Sequence, residues 1–266
     1  MRGLIRLAWL QNRVLTAYLG VGLAFLSFLL AAPIGPIKDG VLQFVQDSPF
    51  LQKMIAAFMG MDLGGALTVK LLVGGSWGHP FLLACMLGYA IVSAARYPAQ
   101  EIEQGHIDLL LSAPVSRARV LSAHVMVAWV CLVVLHIITL GAFWLGCIPL
   151  DSDAPTLLEM VPLTGSLFVT AVWMHSAATL LSCRGSTRGV VAGPLIAFAL
   201  WSMVIGYLRP FVSFAQTIAP LGLLYYYRPG TIMQSGVEWS GPAVLLGCSV
   251  IFYGLGYWSI RRRDMV

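Results

Sequence analysis

Residues 120–150 read VLSAHVMVAWVCLVVLHIITLGAFWLGCIPL, thirty-one positions between Arg119 and Asp151 without a single Asp, Glu, Lys or Arg. A helix on a water-facing surface keeps one polar face, whereas a helix crossing a bilayer needs about 20 consecutive, mostly apolar residues. The run shows no two-residue alternation, so it is not a barrel strand, and in lipid only helices and closed barrels satisfy their own backbone. Five more runs of the same kind appear on moving from charge to charge. They lie between Arg13 and Lys38, Lys70 and Arg96, Glu159 and Arg184, Arg188 and Arg209, and Glu238 and Arg261. Trimmed, the six predicted spans cover about 15–33, 77–97, 120–147, 162–183, 189–208 and 240–260. The expected fold is an all-α polytopic membrane protein, one transmembrane domain over residues 1–266.

Composition points the same way. The 266 residues are 59% hydrophobic and 10% charged, with a mean hydropathy of +0.84, where a soluble domain carries about 25% charged residues. The net charge of +5 comes from basic residues scattered in twos and threes, which excludes a nucleic-acid-binding face. The five cysteines are odd in number, lack CxxC spacing and sit in apolar runs, so they read as small core residues rather than a disulfide framework.

Lys and Arg orient the spans. With the N-terminus inside, eleven basic residues are cytoplasmic (Arg2, Arg6, Arg13, Arg96, Arg117, Arg119, Arg184, Arg188 and Arg261 to Arg263) and five are outside (Lys38, Lys53, Lys70, Arg209 and Arg228). Both termini are therefore expected in the cytoplasm. Two apolar stretches are not counted as spans, because either one alone would put Arg261 to Arg263 outside. Residues 210–227, with Pro210, Pro220 and the Tyr225 to Tyr227 cluster, read as an interfacial or re-entrant hairpin. The 34–76 segment reads as an extracytoplasmic amphipathic stretch, its 54–73 part forming one or two helices on the outer surface. Met1 to Leu10 alternate Arg with Leu, Ile and Trp and are expected to form an amphipathic interfacial helix ahead of the first span. That first span exceeds the about 7–15 residues of a signal-peptide core, so it is read as retained.

The one sizeable cytoplasmic feature is residues 98–119, PAQEIEQGHIDLLLSAPVSRAR. Its early acids suit a helix N-terminus, and Ile102, Leu109 and Leu110 fall near one face. Pro114 disfavours helix at Ala113, and Ser116 is placed to cap the third span. Helix, break, helix is the expectation: a docking element held at the membrane surface.

This stretch resembles the loop joining the second and third spans in permease subunits of type-2 ABC exporters. The family's pattern is Glu, Gly, Leu-Leu, Ser or Thr, any residue, then Pro-Val-Ser-Arg. Glu101 or Glu103, Gly105, Leu109 to Leu111, Ser112, Pro114, Val115, Ser116 and Arg117 match it, while His124 stands where the family keeps Lys. The ending Ile260-Arg261-Arg262-Arg263-Asp264 also resembles the family's. The resemblance implies a coupling helix seated in a separate cytoplasmic ATP-binding subunit. Its ATPase-coupling residues would be Glu101, Glu103, Gly105, Leu109, Leu110, Pro114, Ser116 and Arg117. On this reading the two glutamates pair with basic groups of the partner, Gly105 permits close approach, and Pro114 fixes the angle to the third span. ATP and Mg belong to that partner, because this sequence holds no GxxxxGK[ST] loop; the chain itself is expected to bind no cofactor or metal. It is also expected to pair with a second copy or a similar permease, and an extracytoplasmic partner is conceivable at the outer segment.

His79, His136 and His175 lie at or within spans, where ionisable groups are candidate functional residues. A haem or metal pair from His136 and His175 is the weaker reading against interhelical hydrogen bonding, since HExxH and repeated His pairs are absent. No carboxylate lies in a span, which disfavours an intramembrane hydrolase and an ion-coupled secondary transporter alike. Gly193-Pro194 is expected to interrupt the fifth helix. Gly141, Gly146, Gly165, Gly247, Gly254 and Gly256, with Ala177 and Ala178, are expected to offer small faces for helix packing. Spans without carboxylates favour an apolar or amphipathic cargo.

Overall fold

The computed structural model describes residues 1–59, 68–107 and 114–263, with residues 39, 41, 42, 46, 56, 58, 59 and 151–153 described by backbone alone. The described residues form helices and turns without a strand, and six helical stretches are long and apolar enough to cross a membrane. In chain order the helices are α1 (Arg2–Ala31), α2 (Ile34–Gln46), α3 (Pro49–Met59), α4 (Val69–Ser76), α5 (Pro80–Ala95), α6 (Arg117–Cys147), α7 (Leu157–Arg184), α8 (Arg188–Leu208), α9 (Ser213–Ile218), α10 (Pro229–Ser235) and α11 (Ser240–Arg262). The protein is a multi-pass membrane protein whose spans are built on α1, α4–α5, α6, α7, α8 and α11.

The packing is that of a protein dissolved in lipid. On α1 the buried positions are Ala8, Asn12, Thr16, Gly20, Leu23, Ser27 and Ala31, a stripe of mostly small and polar residues at helical spacing. Large apolar residues of the same helix point away from the protein, Val21 being 73% exposed and Phe25 68%. Lipid chains are as apolar as leucine, so helices associate through close packing and internal hydrogen bonds instead of hydrophobic exclusion. Thr16 makes such a bond with the Tyr89 hydroxyl on α5 at 3.0 Å. The main core joins α1, α4, α5, α6 and α7, and a second cluster joins α5, α7, α8 and α11. α1 packs chiefly on α6, and α11 chiefly on α7.

Several expectations are corrected. The N-terminal residues do not form a separate surface helix: α1 runs unbroken from Arg2 to Ala31, and its buried stripe begins at Ala8 and continues in register to the end. Thirty residues at about 1.5 Å each span about 45 Å, more than the about 30 Å hydrocarbon core, so α1 is one rod long enough to reach through the headgroup layers as well. The 54–73 stretch does not lie on the outer surface throughout. Val69, Leu71, Val73 and Gly74 of α4 are buried, and Gly74 abuts Met233 of α10, leaving no room for a side chain. Asp62 and Gly64-Gly65 of that stretch lie outside the described residues. Pro194 does not interrupt the fifth span; α8 continues through it, as α7 does through Pro162. Of the six glycines expected at helix contacts, Gly146 and Gly256 are within close range of a neighbouring helix, whereas a methyl on Gly141, Gly165, Gly247 or Gly254 would meet nothing within 4 Å. Ala177 and Ala178 are buried as expected.

Residues 210–235 form the short helices α9 and α10 and two 3-10 turns, none long enough to span. Ser202 of α8 accepts the Leu224 amide at 3.1 Å, and the Tyr227 hydroxyl donates to the Trp77 carbonyl at 3.1 Å, so the segment folds back over the ends of α5 and α8. All five cysteines are free; Cys131, Cys147 and Cys183 are buried and Cys85 and Cys248 half-buried.

Candidate functional site

At the arginine-rich end of the bundle, the chain leaves α5 through a sharp change of course. Tyr97 is extended (φ −134°, ψ 130°), the conformation that a following proline imposes, and Pro98 follows it. Tyr97 is buried and stacks on His124 of α6, ring centroids 5.1 Å apart. The next turn, Glu101–Glu103, ends at Gly105, whose φ of +70° places it in the left-handed region. The amide of His106 donates to the Glu101 carbonyl at 2.9 Å and that of Gly105 to the Ile102 carbonyl at 3.0 Å, the paired bonds of a Schellman stop. Nothing lies within 4 Å of where a Gly105 side chain would begin. Gly105 therefore serves as a turn glycine here, with no close approach among the described residues.

The same few residues are fastened to α1, α7 and α8, and Arg117 beyond the loop to the residue after α11. The Gln11 side-chain amide of α1 donates to Glu101 at 2.8 Å. The Ala99 amide donates to Ser182 of α7 at 3.1 Å. Glu103 accepts from the Arg188 backbone amide at 2.9 Å and from its guanidinium at 3.3 Å, at the first turn of α8. Those contacts hold the Glu103 carboxyl below the usual carboxylate range. On the far side of the loop, Arg117 donates to the Arg263 carbonyl, and the Arg263 guanidinium reaches the carbonyls of Cys183 at 3.1 Å and Gly185 at 2.7 Å. Beneath lies an apolar cluster of Tyr97, Ile107, Val120, Leu121, Cys183 and Ile260, with Leu4, Ile102 and Val115 packed against it.

Against the sequence expectations, Glu101 is turned inward, 4% exposed, with its carboxylate on Gln11 and 3.8 Å from the His106 ring, so it is not free to meet a partner's cation. Glu103 is half-exposed and already paired within the chain. Ser116 sits at the N-cap position of α6 with extended backbone, but its side chain makes no cap bond. Pro114 and Ser116 are exposed and Arg117 half-buried. Leu109, Leu110 and the rest of the expected apolar stripe after Ile107 lie outside the described residues. His124, at the position where the ABC permeases keep Lys, is 5% exposed against an aromatic ring and presents no outward charge. Gln11, Ser182, Arg188 and Arg263 were not singled out as ties for this loop. They lie 78 to 146 residues from the groups they bond, and no local pattern links such positions.

The membrane histidines separate. His136 Nδ1 bonds the Leu132 carbonyl of its own helix at 2.7 Å, and its ring meets Phe168 edge-on. His175 Nδ1 lies 2.7 Å from the Tyr253 hydroxyl of α11, which also accepts the Trp129 indole N–H of α6 at 2.8 Å. With the tyrosine proton directed to His175, one hydroxyl joins α6, α7 and α11. His79 caps α5, its ring nitrogen facing the Phe81 amide at 3.4 Å. Among the described residues no three His, Cys, Asp or Glu side chains group as a metal site.

A polytopic helical bundle with one internally tethered loop is compatible with many membrane proteins, and comparison with known families decides among them. Residues 1–261 match the family described as multidrug efflux system permease Rv1217c, C-terminal domain. The chain belongs to this family of efflux permeases. No curated protein matches it in sequence. The permease is thus a transport component of the membrane, and the tethered loop and the helix ends around it are its candidate working parts.

Proposed function

We propose that this permease is the transmembrane subunit of a type-2 ABC exporter, moving an apolar or amphipathic compound outward with ATP hydrolysed on a separate subunit. Both termini and the 98–119 loop face the cytoplasm in this reading, as the eleven basic residues at that end favour. The observation that carries it is the fastening of Ala99 to α7, Glu101 to α1 and Glu103 to α8, with Arg117 at the start of α6 tied to Arg263 just past α11. A force applied to this element by a closing ATPase would be delivered to four spans at once rather than absorbed in a loose loop. Glu101 acts from inside as a tie to α1, and Glu103 as a tie to α8. The partner is then met by exposed groups of the loop such as Pro114 and Ser116, together with Leu109 and Leu110 as the resemblance implies. The family's description as a C-terminal domain supports pairing with a second, similar unit, whether another copy or another permease.

The test is transport in cells co-expressing the permease with its ATP-binding subunit. The double change Glu101→Ala and Glu103→Ala is expected to reduce co-purification of the ATPase or transport while membrane insertion stays intact. Normal coupling in that variant would remove the tethers from the mechanism. Transport that persists without any such ATPase, yet stops when the proton gradient is dissipated, would replace this reading with an ion-coupled carrier.

A further inference from the structure

The bundle end opposite the loop holds a cavity of about 630 Å³ beneath the folded-back 210–235 segment, between the ends of α5 and α8. That is within the size range of small-molecule sites, about 300–1,000 Å³. Among the described residues its lining includes two arginines, Arg209 and Arg228, and no carboxylate. Both guanidiniums sit over the Tyr225 ring, their carbons 5.4 Å and 4.5 Å from its centroid, and the Arg228 side chain is fixed there by a 2.9 Å bond to the Tyr225 carbonyl. Among the described residues neither arginine is ion-paired; the salt bridges are Lys70 with Glu159, Arg188 with Glu103, and His106 with Glu101. The rest of the wall is amphipathic: Leu83 and Leu224 are apolar, Tyr207 is half-buried, and Gln216 lies exposed at the rim.

Two like charges gathered on one ring, with no described carboxylate paired to either although Glu238 lines the neighbouring hollow that Arg228 also faces, repel each other, and a bound anion relieves that repulsion. A guanidinium offers paired donors matched to carboxylate and phosphate oxygens, while the aromatic and leucine wall suits a hydrocarbon or ring. We infer that this cavity binds the anionic head of an amphiphile, a carboxylate or phosphate on an apolar body. Such a ligand could come from two sources, the phospholipid of the surrounding leaflet or a free amphiphile carried by the permease. The site stands whether or not the ATP-driven reading holds.

The experiment measures binding of 11-(dansylamino)undecanoic acid to the full-length permease in phosphatidylcholine nanodiscs, with empty nanodiscs as blank and no ATPase present. Binding is read as dansyl emission excited through tryptophan, Trp77 lying directly behind the cavity wall through its bond with Tyr227. The acid should bind saturably. Its methyl ester should bind about tenfold more weakly, as should the acid to the Arg209→Gln, Arg228→Gln double variant. Since Arg228 is also a structural tie, Gln216→Glu provides a second variant at an exposed position; it adds a negative charge, leaves both arginines in place, and should weaken the acid several-fold but not the ester. Competition by added phosphatidylglycerol identifies lipid as the source, and its absence identifies a free amphiphile; either result upholds an anion site. Equal affinity for acid and ester, or acid binding unchanged in both the arginine and the Gln216→Glu variants, would overturn it.

Discussion

Gly146 and Gly141 stand five residues apart on α6, and replacing each with alanine should give opposite results. A β-carbon on Gly146 would sit 2.8 Å from the Ala31 side chain, 3.0 Å from the Phe28 carbonyl oxygen and 3.2 Å from the Ala32 nitrogen. Two of those three neighbours are backbone of the last turn of α1, where the Phe28 carbonyl is already bonded to the Ala32 amide at 2.9 Å. They cannot swing aside as a side chain can, so α1 and α6 must part along their most extensive contact. Overpacking of this kind costs about 1–3 kcal/mol. At Gly141 a new methyl meets nothing within 4 Å, and the exchange should be neutral or gain up to about 1 kcal/mol from reduced backbone freedom. The permease carries its own reporter, since the buried Cys131, Cys147 and Cys183 become accessible to a thiol-reactive dye only on unfolding. In a thermal ramp in detergent, Gly146→Ala should lower the midpoint by several degrees while Gly141→Ala leaves it in place. Adding Ala31→Gly to Gly146→Ala should recover part of the loss, but not all, because the Phe28 carbonyl remains. Equal midpoints for the two glycine variants would refute the close approach of α1 and α6.

Two further outcomes are expected. Glu103→Ala and Arg188→Ala should each shift the melting midpoint little, because exposed ion pairs contribute about 0–1 kcal/mol, yet each should lower transport. A large stability loss with normal transport would reverse the role given to that pair. Tyr253→Phe and His175→Phe should destabilise non-additively, with a coupling of about 0.5–3 kcal/mol in a double-mutant cycle, because the first removes the hydroxyl that the second leaves without an acceptor. Additive effects in the thiol-dye melt would dissolve the Trp129–Tyr253–His175 connection.

How much of this was legible in the sequence differs by scale. The spans followed from charge spacing, since a charge in hydrocarbon is costly enough that its absence over 20 or so residues marks the element. Their length was less visible. Nothing in Met1 to Leu10 distinguishes a helix lying on the membrane from the end of a long span; that depends on what α1 packs against. Proline misled at Pro194, because membrane helices tolerate it where neighbouring groups satisfy the freed carbonyl. In the loop, the acids and Gly105 marked the right place but suggested the wrong direction. Glu101 turns inward to Gln11, and the sequence carries no sign of a partner ninety positions away. Glycine count was equally mute about packing: the spacing of Gly146 on its helix does not tell it from Gly141, and only the position of α1 does.

The tyrosine hub at residue 253 has a mechanical consequence. Trp129, His175 and Tyr253 rivet α6, α7 and α11, and Ser122 with Tyr257 adds a second rivet between α6 and α11 at 2.9 Å, one turn further along α11 and about two turns along α6. Two rivets at different depths resist both sliding and twisting of α6 against α11, and the hub pins α7 to that pair at one point. α8 lies outside that riveted group, tied instead at its first turn to Glu103 and, through Ser202, to the Leu224 amide of the folded-back segment.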